Sequence, residues 1–195
     1  MTAETRGNVG KGSIVSVAIA EHRSPIGTLW STWTQHGLFS LSWNEPTPIP
    51  TLTSNEHAVR GQAKNLDQLL DVYFRTGTVC FDEVVIDPTG WSDFAANVYR
   101  CCRAIESGTT VTYKRLAMRV GNERASRAVG AAMSRNRVLL VIPCHRVLSG
   151  QGELRGFSAR GGLTTKRQLL DLERKGCWSE DLFSGEGSLP ASGSS

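Results

Sequence analysis

The 195-residue chain is 39% hydrophobic and 21% charged, a globular composition that excludes a largely disordered protein and supplies enough apolar material for a core. No run approaches the roughly 20 apolar residues of a membrane-spanning helix, and the N-terminal residues lack the basic-then-apolar order of a secretory signal, so a cytoplasmic location is expected. The net charge of +4 conceals a polarised chain: Val98–Lys175 holds 16 Lys/Arg against 5 Asp/Glu, and the remainder 6 against 13. Such a basic half suits a polyanion, nucleic acid foremost, but charge alone equally describes a solvated basic face.

Five cysteines, Cys80, Cys101, Cys102, Cys144 and Cys177, are odd in number, with two adjacent and no CxxC or Cys/His pair at finger spacing. Free thiols in a reducing compartment and no structural zinc are expected. His22, His36, His57 and Cys80 form no recognisable ligand set, so no metal is assigned.

Domains usually hold roughly 100 to 150 residues, and two small ones are expected: an N-terminal α/β domain over 13–88 and a C-terminal domain over 89–176. The ends, 1–12 and 177–195, are thin in apolar residues, the latter Gly/Ser-rich, and are expected to be disordered. Within Ile14–Trp43 the β-rich runs IVSVAIA, GTLWSTWT and GLFSLSW are broken by Ser24-Pro25, Gly27 and Gln35-His36-Gly37, which predicts an antiparallel meander. Three prolines in Glu45–Pro50 end it. Leu66, Leu69, Leu70, Tyr73 and Phe74 recur at helical spacing over Leu66–Arg75. Thr78–Pro88 reads as one more strand before the turn Asp87-Pro88-Thr89-Gly90.

From Trp91 the pattern becomes helical. Ser92 is placed to cap a helix burying Phe94, Ala95, Val98, Cys101, Cys102 and Ile105, with Gly108 stopping it. Thr112 caps a short helix through Val120, Gly121-Asn122 turns, and a second helix runs from Glu123 to about Ser134, a helix-turn-helix arrangement. Its small residues Ala125, Ala128, Gly130, Ala131 and Ala132 permit close approach to a partner, or simply pack on the core; Arg127 stands among them. Val138–Ile142 reads as a buried strand leading to Pro143-Cys144-His145-Arg146-Val147. A last helix over about Thr164–Lys175 turns Leu169, Leu170 and Leu172 inward. The fold class is therefore α+β, a small sheet with a helix followed by a mainly helical unit.

Neighbouring side chains in an extended segment point to opposite sides, so Cys144 and His145 are not expected to touch. A directly paired Cys–His nucleophile fits poorly, whereas a relay through water, with Glu173 orienting His145, remains open beside an inert buried thiol.

The segments TVTYKRLA (Thr110–Ala117), GNERASRAVGAAMSRN (Gly121–Asn136), VIPCHRV (Val141–Val147) and GGLTTKRQLLDLE (Gly161–Glu173) resemble the O6-alkylguanine-DNA alkyltransferases, the methylated-DNA–protein-cysteine methyltransferase family. Pro-Cys-His-Arg-Val is similar to its acceptor motif, and the eight-residue step from Asn136 to Cys144 is the family's. The likeness runs from Ser24 to Glu173, more densely from Trp91 onward. It implies a ribonuclease H-like N-terminal domain, a winged helix-turn-helix C-terminal domain, and irreversible, stoichiometric transfer of an alkyl group from O6 of guanine, and from O4 of thymine, to Cys144. No cofactor is required. The implied partner is double-stranded DNA carrying the lesion, bound through its minor groove by a monomer, in the nucleoid or in a eukaryotic nucleus.

The resemblance also implies individual roles. Cys144 attacks as a thiolate, which calls for a lowered pKa; His145 takes its proton through water, and Glu173 orients the imidazole. Tyr113 donates to N3 of the departing guanine, and Asn136 ties the preceding turn to the site. Arg127 is the finger that replaces the flipped nucleotide. Ala128, Gly130 and Thr112 line the DNA face, and Arg124, Arg135 and Lys114 serve phosphates. Met133, Pro143, Val147, Phe157 and Ser158 line the base pocket.

Two departures stand out. Gly156–Gly162 is two residues longer than the short form common in the family, which bears on pocket width. Arg137-Val138-Leu139 replaces a proline-containing stretch, with no chemical consequence expected. An alkyltransferase-like lesion sensor is disfavoured by Cys144, and a sequence-reading regulator by the alanines of the second helix.

Overall fold

The structure, a computed structural model, describes residues 18–46, 56–152, 154, 157 and 160–176. The expected disordered ends, 1–12 and 177–195, lie outside the described residues. The N-terminal meander is present as β1 (Ala18–His22), β2 (Leu29–Thr34) and β3 (Gly37–Ser42), antiparallel in that order. Its tight turn needs Gly37, at φ +129°, where a Cβ would come within 2.5 Å of the Val85 carbonyl oxygen.

Helix α1 (Glu56–Thr76) is longer than the apolar spacing marks, and buries Leu66, Leu70, Tyr73 and Phe74. Asp67 on α1 meets His22 Nδ1 at 3.1 Å, and His22 Nε2 lies 2.8 Å from Ser31 Oγ. This has the order of a hydrolytic triad, but Ser31 is fully buried and also accepts from Trp33 Nε1. The chain of bonds therefore fastens α1 to the sheet and reaches no substrate.

Two expected strands are absent. Thr78–Pro88 makes a single parallel bridge, Ile86 to Leu38, because a turn closed from Val84 N–H to the Phe81 carbonyl interrupts it. Arg103 Nη2 then caps the carbonyls of Phe81 and Val84. Val138–Ile142 is likewise a buried turn: only Val138 bridges to β3, at Leu41, and Ile142 N–H folds back to the Val138 carbonyl with Leu140 at φ +67°. Its apolar run reports burial, which a packed turn satisfies as well as a strand.

The helical half begins with α2 (Asp93–Arg103), whose N-terminus Ser92 caps by accepting from Ala95 N–H. Ala95, Val98, Tyr99 and Cys102 are buried there, while Phe94 and Cys101 are only half-buried. β4 (Val111–Thr112) leads into α3 (Tyr113–Arg119), capped by Thr112. The next helix starts as a 3-10 turn, Glu123–Ala125, and becomes α4 only at Ser126–Ser134. A second 3-10 turn, Cys144–Arg146, is followed by β5 (Val147–Leu148) and α5 (Leu163–Lys175). β4 and β5 pair in parallel, Val111 with Val147 and Thr112 with Leu148, so the start of α3 lies beside the exit of the Cys144 turn.

One apolar cluster runs through both halves, from Leu29 and Trp33 to Leu169 and Leu172. Arg137 stitches them together: it donates to the carbonyls of Phe39 (2.7 Å), Asp87 (3.0 Å) and Thr89 (2.8 Å). Its guanidinium also lies 3.9 Å from the Phe39 ring centroid and 5.1 Å from that of Trp91. The departure at Arg137 thus carries a structural role that its sequence context does not announce. Arg137→Ala is expected to cost roughly 2–4 kcal/mol, three carbonyls losing a charged donor, seen as a lower urea midpoint; Arg137→Lys should recover part of it.

Candidate active site

Cys144 opens the 3-10 turn, 5% exposed, followed by fully buried His145. The turn replaces the expected extended geometry, so strand alternation does not separate the two side chains. Asn136 braces it: Oδ1 accepts from Val138 N–H at 3.0 Å, and Nδ2 donates to the Ile142 carbonyl at 2.9 Å. The same side chain lies close enough to the Cys144 sulfur to favour its thiolate form.

Behind the turn, Glu173 of α5 gathers donors. His145 Nε2 lies 2.8 Å from its Oε1, Arg146 Nε 3.0 Å from both oxygens and Arg146 Nη2 2.8 Å from Oε1. Tyr73 Oη donates to Oε1 at 2.8 Å, and Gly108 N–H to Oε2 at 3.0 Å. Burial would raise this carboxyl, but the hydrogen bonds of His145 and Arg146, with the Arg146 charge, outweigh it and hold the pKa at about 2.

An ionised Glu173 fixes the tautomer of His145. Burial pushes the imidazole pKa down despite Glu173, so the ring is neutral, and its one proton belongs on Nε2, facing the carboxylate. Nδ1 is then the basic nitrogen, and it has no hydrogen-bond partner among the described residues.

The thiol corrects one expectation: burial raises the Cys144 pKa, over the opposing effects of Asn136 and Lys166. The resting sulfur is protonated, and it becomes nucleophilic by giving its proton to a base as it reacts. Lys166 had drawn no notice in the sequence. It is fully buried on α5, donates from Nζ to the Val147 carbonyl at 2.7 Å, and has its pKa lowered by burial. A lysine on an amphipathic helix ordinarily reads as a solvated residue.

Tyr113, the first residue of α3, is half-buried, and burial followed by the proximity of Cys144 raises its pKa. It is a neutral phenol able to donate. Gly130 of α4 faces its ring, where an added Cβ would lie 4.0 Å away. Met133, Pro143 and Val147 are buried, and Phe157 packs half-buried on the core. Ser158 lies outside the described residues, as do Gly156 and Ala159 of the same loop.

α4 divides cleanly. Val129, Ala132 and Met133 are buried, and Tyr99 Oη holds the Ala132 carbonyl at 2.8 Å. Arg124, Arg127, Ala128, Ala131 and Arg135 are exposed. The alanines thus serve both the core and an open face. Thr112 is engaged as a cap, accepting from Arg115 N–H at 3.1 Å. Lys114 pairs with Glu123 at 2.8 Å on the surface, so phosphate binding there would compete with an existing pair.

Two short helices, α3 and α4, stand beside a buried thiol backed by a His–Glu pair, so the α+β fold carries a candidate cysteine site. A family model described as "6-O-methylguanine DNA methyltransferase, DNA binding domain" matches residues 93–175. The methylated-DNA–protein-cysteine methyltransferase of Methanosarcina acetivorans is 34% identical over 154 residues, covering 77% of this chain and 94% of that protein. Its counterpart from Mycolicibacterium paratuberculosis is 36% identical over 152 residues, covering 78% and 89%. Mycobacterium tuberculosis OGT, solved in complex with DNA, superimposes with TM-score 0.67 at 28% identity, covering 85% of this chain and 99% of that one. The chain belongs to the methylated-DNA–protein-cysteine methyltransferase family.

Stability is expected to fall on acidification in two stages. His145 is kept neutral by the fold, so the unfolded chain takes up its proton first and the loss starts below about pH 6.5. Glu173 contributes fully above its ordinary value of 4.5, and that contribution disappears as pH falls toward about 2. Urea unfolding across pH reads both stages. Glu173→Gln should abolish the second and cost roughly 3–5 kcal/mol at neutral pH, leaving Arg146 buried without its counter-ion.

Proposed function

We propose that this protein repairs DNA by direct reversal, Cys144 taking the alkyl group from O6 of guanine, and from O4 of thymine, in a single irreversible turnover. The observation that carries the reading is the pairing of Glu173 with His145 behind Cys144, which leaves Nδ1 as the base in a site where the thiol must lose a proton to react. A water relays that proton to Nδ1, and Glu173 stabilises the imidazolium. The sulfur attacks the alkyl carbon in line, the carbon–O6 bond breaks, and its electron pair passes to the purine. Tyr113, held as a neutral donor, offers its hydrogen bond to N3 of the leaving base. The guanine anion takes up one proton, balancing the one left on His145, and the products are unmodified guanine and an S-alkylated Cys144.

The base reaches the sulfur only when flipped from the duplex, at a cost of a few kcal/mol. Arg127, exposed on the small-residue face of α4, takes the vacated place from the minor groove, with Ala128 and Gly130 allowing close approach. Arg124 and Arg135 meet phosphates, and Met133, Pro143, Val147, Phe157 and Ser158 form the base pocket. The protein acts as a monomer in the cytoplasm, at the nucleoid, or in a eukaryotic nucleus. Its halves, 13–88 and 89–176, correspond to a ribonuclease H-like domain and a winged helix-turn-helix domain, the β4–β5 pair forming the wing's base.

Incubation with duplex DNA holding one O6-methylguanine should add one methyl mass to the Cys144 peptide, at one equivalent per protein. Repeated turnover, or label on Cys80, Cys101, Cys102 or Cys177, would sink the mechanism. Arg127→Ala should slow repair of duplex by roughly 100-fold or more, as expected for a lost few kcal/mol of flipped-state stabilisation, while reaction with free O6-benzylguanine stays near wild type. Equal losses on both substrates would refute the finger role.

A further inference from the structure

The hydrogen bond between Tyr73 and Glu173 links residues 100 apart in sequence, and joins the N-terminal half of the chain to the carboxylate behind the acceptor cysteine. Tyr73 is fully buried on α1, packed against Phe74 and Phe81 at ring-centroid distances of 5.3 and 6.1 Å. A phenylalanine would fill that space equally well. The hydroxyl is tolerated in such a place because it has a partner, and its partner is Oε1, the oxygen that also faces His145 Nε2.

We propose that Tyr73 is a positioning residue of the acceptor site, holding Glu173 in register with His145 and moderating the proton affinity of the imidazole. The inference rests on the repair reading above and assigns a chemical role to the N-terminal half. Tyr73, His145 and Arg146 all donate to Oε1 and share its electron density, so the phenol weakens the pull of Glu173 on an imidazolium proton. Besides Tyr73, the groups facing the His145–Glu173 pair are Arg146 from the same turn, Lys166 from α5, and Gly108 N–H from the loop after α2. Arg146 and Lys166 oppose an imidazolium, and Glu173 favours it. Tyr73 is held protonated by burial and by Glu173, so it donates throughout the working pH range and tempers the one group that favours the charged ring.

The test compares wild type with Tyr73→Phe, which removes only the hydroxyl. Reaction of each with free O6-benzylguanine, followed by mass gain at Cys144 across pH, avoids DNA binding altogether. Nitrogen-15 NMR of histidine-labelled protein titrates His145 without any substrate. In Tyr73→Phe the acid limb of the rate profile and the NMR midpoint should both move up, by roughly half to one pH unit, while the rate well above the limb stays within about twofold. Unmoved limb and midpoint with a uniformly lower rate or lower stability would assign Tyr73 to packing alone and overturn the proposal, as would loss of the fold. Failure of the wild type to react would overturn the repair reading by itself, because the NMR midpoint still decides the role of Tyr73.

Discussion

The arrangement depends on a single buried negative charge. Removing a carboxylate from water costs several kcal/mol even after relaxation, and it is retained only where donors replace the lost solvent. Glu173 meets that condition with donors from three other places: Tyr73 on α1, Gly108 after α2, and His145 and Arg146 in the acceptor turn. Arg146 in turn holds the Ile105 carbonyl and the Ser107 hydroxyl. None of these elements can shift without leaving a buried charge or polar group short of a partner, so the catalytic turn is located by electrostatics as much as by packing.

The same burial decides how the chemistry is gated. It raises the thiol, lowers the imidazole and raises the phenol of Tyr113, so each reacting group rests in its neutral form. A standing thiolate would be open to oxidants and stray electrophiles. A protonated one is activated only by a proton transfer that must accompany attack. Glu173 is the exception, ionised well below neutrality, and it supplies the fixed charge against which the imidazolium can form.

Local features were legible in the sequence where their cause is local. Ser92 and Thr112 cap α2 and α3 as their side-chain chemistry requires, and the turn residues of 24–37 separate the three strands. The runs at Thr78–Pro88 and Val138–Ile142 misled because apolar and β-branched content marks burial, while strand formation needs a partner edge that only the tertiary fold provides. Cys144, His145, Glu173, Asn136, Tyr113 and Arg127 were marked by family resemblance, since their spacings of up to 60 residues carry no periodicity. The roles of Tyr73, Lys166 and Arg137 are not legible in the sequence for a shared reason: each sits where a routine pattern explains it, as a core aromatic, a helical lysine and a turn arginine. Their roles arise from contacts across the chain.

The surface proposed to meet DNA and the face turned to the core are two sides of one nine-residue helix. On α4 the exposed face of Arg127, Ala128 and Ala131 has no array of amides or paired guanidinia with which to read base edges. What it offers is closeness, one long cation and a smooth apolar ground. The opposite face is rigidly seated, Val129, Ala132 and Met133 buried and the Ala132 carbonyl held by Tyr99. Asn136, just past the end of α4, fastens the Val138–Ile142 turn that leads into Cys144. In the proposed repair reaction, a base displaced at the outer face would be offered to a sulfur whose position is set by the same helix, with α3 and α4 serving delivery in place of sequence recognition. Lesions occur at any sequence, so a reader that discriminated among neighbours would fail at most of them, and under the proposed role the alanines of α4 suit that requirement.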